Sequence, residues 1–319
     1  MRLPSQPASP LSNRSSRPPR EARLDEQSRK GKQDLAEISA AQVKELRERT
    51  GAGMMDCKKA LAEASGDSAR AAEILRERGI AKASKRVGRA GSEGRVNALV
   101  SVDGRTGALV ELNCETDFVA KTDDFAALAD ALARAVCANA PAHVDELLAS
   151  SAGGETLRDA LGSAVTKLGE DLVVRRLERL EAPAAGFVAA YVHAGGKIGT
   201  LVAVECENPG KPEVRAFAHN VCMHIAATSP ASLSRDELSK AVVDAERNVL
   251  TKQAAGEGKP ANIIERMIEG RLAKFFKEVV LLEQGLVMDP DKIVSKAAQE
   301  VGARIVGFRR FQLGEAGEE

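Results

Sequence analysis

The chain has 319 residues, 44% of them apolar and 29% charged, and its 46 basic and 46 acidic side chains leave no formal net charge. That length allows two or three domains, each with its own core, and the balance of charge excludes the basic excess of a protein that grips nucleic acid along a broad face. With no Trp and with Tyr191 the only Tyr, stacking platforms for single-stranded bases are scarce. No stretch nears the roughly 20 apolar residues of a membrane-spanning helix.

Cys57, Cys114, Cys137, Cys206 and Cys222 form no CxxC pair. An odd number of cysteines without a secretory signal reads as reduced structural thiols, with no metal or cofactor site. Residues 1–35 differ in kind. Pro4, Pro7, Pro10, Pro18 and Pro19 alternate with Ser and Arg, and no acid precedes Glu21. Such a segment lacks the apolar surface to fold. It reads as a disordered tail, a transit peptide or the product of a start codon set too early. The prolines spoil an amphipathic helix and so favour a bacterial cytoplasm over an organelle matrix.

A small helical domain is predicted over residues 36–82. Ser39 with Gln42 is a capping box that opens a helix through about Arg49. Thr50-Gly51-Ala52-Gly53 breaks it, a second helix runs from Met54 to about Ser65 with Gly66 as left-handed cap, and a third starts at Asp67 or Ser68 and ends at Gly79. Three short helices so arranged form a bundle of the ubiquitin-associated type. Gly51-Ala52-Gly53 lacks the Lys-Ser/Thr and the preceding strand of a phosphate loop, so a tight turn is the simpler reading. Met54 and Met55 point about 100 degrees apart on a helix. Both cannot lie fully in one small core, and one is expected to offer soft apolar surface for binding, with a core role alone as the alternative. The basic linker at 83–93, with Lys85, Arg86 and Arg89 just after Lys82, reads as a solvated helix end, with RNA contact as the alternative.

The remainder carries an internal duplication. A shift of 92 positions (186 − 94) lays Val188, Ala190, Val192 and Ala194 on Val96, Ala98, Val100 and Val102, both sets alternating as half-buried strands do. It sets Gly196 on Gly104 in hairpin turns, Cys206 on Cys114 in return strands and Phe217 on Phe125 in the following helices. Closing strands match Arg175 with Arg309 at a shift of 134, which implies an insertion of 42 residues (134 − 92) in the second copy. The predicted fold class is α+β: two subdomains, 94–181 and 182–231 with 274–316, each a three-stranded antiparallel sheet covered by helices. Residues 232–273 are expected to form an antiparallel coiled-coil hairpin. One stripe would be Leu238, Val242, Ala245 and Val249, the other Ile264, Met267 or Ile268, and Leu272, with a Gly/Pro turn between them.

The duplication also supplies a control. After the shared Cys the second copy has Asn208-Pro209-Gly210, ordinary turn chemistry, where the first has Thr116-Asp117-Phe118 and then Val119. The fold does not need an aromatic ring there. An exposed Phe118 is therefore a candidate binding hot spot, with burial against the next helix as the alternative.

At this point the chain closely resembles bacterial elongation factor Ts. The resemblance lies in Lys44 to Leu61, in Asn113-Cys114-Glu115-Thr116-Asp117-Phe118-Val119-Ala120-Lys121, in His193 before a Gly-rich turn, in Met223-His224-Ile225-Ala226-Ala227 and in Gly307-Phe308-Arg309-Arg310-Phe311. It covers about Ala36 to Gly314, and the short C-terminal helical module of longer bacterial members is missing from this reading. The resemblance implies a partner, elongation factor Tu in its GDP-bound form, and an activity, release of that GDP. Carried over by position, Thr116, Asp117, Phe118 and Val119 would form the segment that displaces Mg²⁺ in the partner. Arg47, Met54 and Met55 would touch the same GTPase domain, the second subdomain would brace another, and the coiled coil would be peripheral. An enzyme is the rival reading, but none of His143, His193, His219 and His224 accompanies a nucleophile motif, and His219 and His224 are poorly spaced for one helical face. A nucleic-acid adaptor is the other rival, and the zero net charge speaks against it.

Overall fold

The computed structural model describes residues 38–85, 91, 93–255 and 260–315; residues 1–37, with the expected tail, and residues 86–90 and 92 of the expected linker lie outside them. In chain order the helices are α1 (Ala40–Thr50), α2 (Met54–Glu63), α3 (Ser68–Lys85), α4 (Asp117–Ala120), α5 (Asp123–Asn139), α6 (Val144–Ala149), α7 (Leu157–Leu168), α8 (Pro212–Thr228), α9 (Lys240–Ala255), α10 (Ala261–Val279) and α11 (Val294–Glu300). The strands are β1 (Glu93–Val100), β2 (Thr106–Cys114), the short pair β3 (Ser151–Ala152) and β4 (Glu155–Thr156), β5 (Val173–Glu181), β6 (Gly186–His193), β7 (Ile198–Cys206), the pair β8 (Gly285–Leu286) and β9 (Asp289–Ile293), and β10 (Ala303–Gln312). No helix among the described residues is long and apolar enough to cross a membrane.

The first three helices form where the caps predict. Ser39 Oγ accepts from Gln42 N, and Gln42 Oε1 accepts in return from Ser39 N at 3.0 Å. Asp67 Oδ1 accepts from Ala69 N at 2.8 Å and Arg70 N at 3.0 Å to open α3. Val43, Leu46, Cys57, Leu61, Ile74 and Leu75 fill their core. The end predicted for α3 is corrected, because the helix passes Gly79 and continues to Lys85. Gly79 is a contact and not a stop: a Cβ there would stand 2.4 Å from the carbonyl oxygen of Gly162 in α7. The glycine lets two helices cross at close range and ties the front bundle to the rest of the chain.

Two three-stranded antiparallel sheets follow, ordered β1-β2-β5 and β6-β7-β10. Each has its own helical layer. Ala108, Val110, Leu112 and Cys114 of β2 pack with Phe125, Leu132 and Val136 of α5 and with Leu161 and Val165 of α7. Val202, Val204 and Cys206 of β7 pack with Val214, Phe217, Val221 and Ile225 of α8. The opposite faces meet each other, so that Val96 and Leu109 share a cluster with Val188, Leu201, Ala203 and Phe311. A central strand covered on both faces reads as a nearly continuous apolar run, as Leu201 to Val204 does.

The contact between the sheets is reciprocal. Val96 N donates to Gly196 O at 2.7 Å, and Val188 N donates to Gly104 O at 2.8 Å. A Cβ on Gly107 would lie 2.6 Å from Val188 Cγ1, and one on Gly199 would lie 2.5 Å from Val96 Cγ1. Each of these residues becomes its counterpart under the shift of 92, the signature of a pseudo-two-fold interface. Glu111 is trapped fully buried beside it. Its carboxylate accepts from Arg176 Nε at 2.7 Å and from Gly314 N at 3.0 Å, as a buried charge requires.

Strand register corrects the closing-strand match. Val110 pairs with Leu177 and its counterpart Val202 pairs with Phe308, a shift of 131 (308 − 177) in place of 134. The insertion is then 39 residues (131 − 92) by the same register. A bulge falls at Arg175 in one sheet and at Val306 in the other, again 131 apart. Similar residue strings had aligned three places too far along. Val102 and Ala194 lie past the ends of β1 and β6, in the hairpin turns, and Val102 is fully exposed.

Helices α9 and α10 pack together through Leu250, Ala254, Ile268 and Leu272, with Ile264 beside them. The α10 stripe is as expected, and that helix runs beyond 273 to Val279. The α9 stripe is corrected. Val242, Ala245 and Val249 face solvent, and the helix turns Leu250 and Ala254 inward.

If the close approach of the sheets sets the fold, Gly107→Ala and Gly199→Ala should each cost about 1–3 kcal/mol through overpacking. The two act on one interface and should not add; urea unfolding of the single and double variants measures both quantities.

Candidate partner-binding surface

The segment after β2 is a single helical turn, α4. Thr116 caps it, accepting from Val119 N at 3.4 Å. Ala120 is buried and Val119 packs against the α5–α7 core, so the turn is nailed down on that side. Phe118 points the other way and is 79% exposed, which removes burial as an account of it. Asp117 accepts from Lys121 Nζ at 2.6 Å. That hydrogen bond, with the lysine charge, holds the Asp117 carboxyl below the usual carboxylate range. The turn therefore presents an exposed ring beside an ionised carboxylate.

Strand β2 is held at this end by the Gly169–Asp171 connection after α7. Gly169 closes α7 in the left-handed region, with φ 77°. Glu170 follows, and its carboxylate accepts from the backbone N–H groups of Glu115 and Thr116 and from the Thr116 hydroxyl. Glu170 was missed from the sequence, because no motif or periodicity marks it.

The front bundle reaches the same end of α7. Gly51 lies against the Lys167 side chain, where a Cβ would meet Lys167 Cγ at 2.8 Å. Lys167 Nζ in turn donates to Asp124 Oδ1 at 2.7 Å, in the first turn of α5. Arg76 of α3 pairs with Asp159 at 2.7 Å further along α7. Both methionines that follow the Gly51–Gly53 turn are exposed, Met54 at 59% and Met55 at 63%, where the sequence required only one to be. Arg47 is exposed on α1. The structure thus fastens the front bundle and the Phe118 turn to one helix.

A second apolar protrusion sits on the other sheet's side. Leu286 pairs with Asp289, leaving Val287 and Met288 as a two-residue hairpin turn, and both are exposed. Turns favour Gly, Asn, Asp, Ser and Pro. The Val-Met pair between Leu286 and Asp289-Pro290 is the signal in the sequence that marks this protrusion. Beneath it His224 is buried, as an interior histidine should be, with both nitrogens satisfied. Nε2 bonds Gln284 Oε1 at 2.9 Å and Nδ1 accepts from Val287 N at 3.2 Å. The second bond requires a neutral ring, and burial pushes the His224 pKa down. His193, by contrast, is exposed and bonds Tyr191 Oη through Nδ1 at 2.8 Å.

Comparison with known proteins decides the family. The family model described as elongation factor TS matches residues 115–315, from the residue before the capped turn to just past β10. The chain is 46% identical over 289 residues to an elongation factor Ts of Clostridium botulinum, covering 88% of this chain and 95% of that one. It is likewise 46% identical to those of Thioalkalivibrio sulfidiphilus, over 88% of this chain and 94% of that one, and of Hyphomonas neptunium, over 89% and 95%.

The chain belongs to the elongation factor Ts family.

Its role therefore lies in translation elongation. The α+β class with three-stranded antiparallel sheets agrees with that membership.

The hairpin that carries Val287 and Met288 depends on a neutral His224. The unfolded chain protonates this ring near the ordinary value of about 6.5, while the folded chain holds it neutral to lower pH. Below about 6.5 the unfolded state binds more protons, so stability falls as pH drops. His224→Gln is expected to flatten part of that decline when urea midpoints at about pH 7.5 and about pH 5.5 are compared with wild type. An unchanged decline would show that His224 is not its source.

Proposed function

We propose that this protein is a guanine-nucleotide exchange factor that binds GDP-bound elongation factor Tu and releases its GDP by disturbing the Mg²⁺ and phosphate site. The observation that carries this reading is Phe118, a large ring held in water on a turn whose other residues are capped, paired or packed. Exposed aromatic anchors dominate interface energetics. Mg²⁺ demands near-ideal octahedral oxygen ligands and bridges protein to nucleotide phosphates. A ring wedged against the GTPase and shifting one of its elements by about 1 Å is enough to spoil such geometry. In this reading Thr116, Asp117, Phe118 and Val119 form the wedge and its mount.

Arg47, Met54 and Met55 would add contact area on the same domain of the partner, since methionine supplies adaptable apolar surface. The Val287–Met288 turn would brace a second domain, and the α9–α10 hairpin would lie at the periphery. The two pairs of protruding residues at separate places supply binding energy, and the wedge spends part of it on weakening the nucleotide. The protein acts by binding and carries no catalytic residue or cofactor of its own. Nucleic acid and membrane have no part in the reading, and its setting is the cytoplasm. The pseudo-two-fold contact supports descent of both sheet-and-helix halves from one duplicated unit, with the three helices from Ala40 to Lys85 a ubiquitin-associated-like bundle.

Release of fluorescent GDP from elongation factor Tu tests the reading. Acceleration that saturates with added protein is expected. Phe118→Ala should slow it by about 30-fold, the effect of losing roughly 2 kcal/mol at a hot spot. The melting temperature should not move, because an exposed ring contributes little to folding. Loss of rate and of stability together would mean that the ring is structural.

A further inference from the structure

Glu170 lies outside the Thr116–Val119 segment, yet three hydrogen bonds from its base converge on this one carboxylate. Oε2 accepts from Glu115 N at 3.1 Å and Thr116 N at 3.0 Å, and Oε1 accepts from Thr116 Oγ1. The connection is returned when Asp171 N donates to Glu115 Oε1 at 3.2 Å. Thr116 has a single hydroxyl hydrogen, and giving it to Glu170 leaves its lone pairs to accept from Val119 N. The carboxylate therefore fixes both the backbone entering α4 and the cap that closes its first turn. Phe118 rides on that turn.

We infer that Glu170 is the positioning residue of the exchange site, which holds the Phe118 ring out in water in the conformation that a GTPase meets. The inference rests on the exchange reading proposed above. An exposed ring on a loose turn would fold back onto nearby apolar surface, and its ordering would then cost binding energy. Hydrogen bonds to an ionised acceptor are about twice as strong as neutral ones, so one carboxylate is an effective fastener for a four-residue turn.

The second half of the molecule supplies the comparison. Under the shift of 92, Thr116-Asp117-Phe118 falls on Asn208-Pro209-Gly210. Under the strand register's shift of 131, Glu170 falls on Val301, a partly buried side chain with no acceptor, packed on the second core. The ring and the carboxylate are present together in one half and missing together from the other. A residue needed only to join a helix to the closing strand would be needed in both.

The test uses the full chain with Glu170→Ala, Glu170→Gln, Phe118→Ala and the double variant Glu170→Ala/Phe118→Ala. Glu170→Ala is expected to slow stimulated GDP release about tenfold, as for loss of a charge-assisted hydrogen bond. Glu170→Gln keeps an oxygen for the two amides and an N–H that Thr116 Oγ1 accepts, so it should stay within about threefold of wild type. In the Phe118→Ala background, Glu170→Ala should change the rate by less than about twofold, since a residue acting through the ring has nothing left to position. In the free protein, amide hydrogen exchange at Glu115 and Thr116 should quicken about tenfold in Glu170→Ala, with protection elsewhere unchanged. An unaltered release rate, an equal loss in both backgrounds, or unaltered amide exchange at those two positions would each overturn the inference. If wild type itself does not stimulate release, the exchange reading falls and takes the exchange role of Glu170 with it. The two amides then report separately whether the clamp on the turn exists.

Discussion

Two glycines, Gly107 and Gly199, let the faces of two β-sheets approach so closely that a methyl group on either would collide with a valine of the other sheet. That approach brings Val96 N to Gly196 O and Val188 N to Gly104 O, and it buries both central strands on both faces. Much else follows from it. The helices are pushed to the outer faces, where α5 and α7 cover one sheet and α8 the other. Glu111, caught in the interior, must be met by Arg176 and the backbone of Gly314, which secures the chain beyond β10. The two halves cannot shift against one another without breaking reciprocal contacts.

A frame fixed by such contacts gives exposed apolar residues a use. Phe118, the Met54–Met55 pair and the Val287–Met288 turn all stand in water, which lowers the stability gained from burial, and each is fastened from behind. Glu170 secures the first, the helix crossing at Gly79 and Gly162 secures the second, and buried His224 secures the third. Side chains ordered before a partner arrives do not lose that freedom on binding. In the proposed exchange reading this matters, because part of the binding energy must go into weakening a nucleotide site.

The sequence made some of this plain and concealed the rest, for physical reasons. Caps and turns are local, so the Ser39–Gln42 box, the Gly104 and Gly196 turns and the two three-stranded units were legible from neighbouring residues. The exposure of Phe118 was legible as well, because the duplication supplied a counterpart with no ring. Tertiary constraints were not. Gly79 looks like a helix stop, and only the crossing with α7 explains why it sits inside a helix. The match of Arg175 with Arg309 suggests a shift of 134, while hydrogen-bond register and matched bulges give 131. The α9 stripe failed because that helix carries two adjacent rows of apolar residues, and periodicity alone does not say which faces α10. Glu170 is separated from Thr116 by 54 residues, and an acid after a helix-ending glycine carries no local signal of such a contact.

Binding energy turned against the nucleotide is measurable from both sides, because linkage is reciprocal. The direct measurement is the affinity of this protein for elongation factor Tu with and without bound GDP, set against the affinity of elongation factor Tu for GDP with and without this protein. GDP is expected to weaken the binding of the protein, and the protein to weaken the binding of GDP, by the same factor. Tight binding that is indifferent to GDP would contradict it.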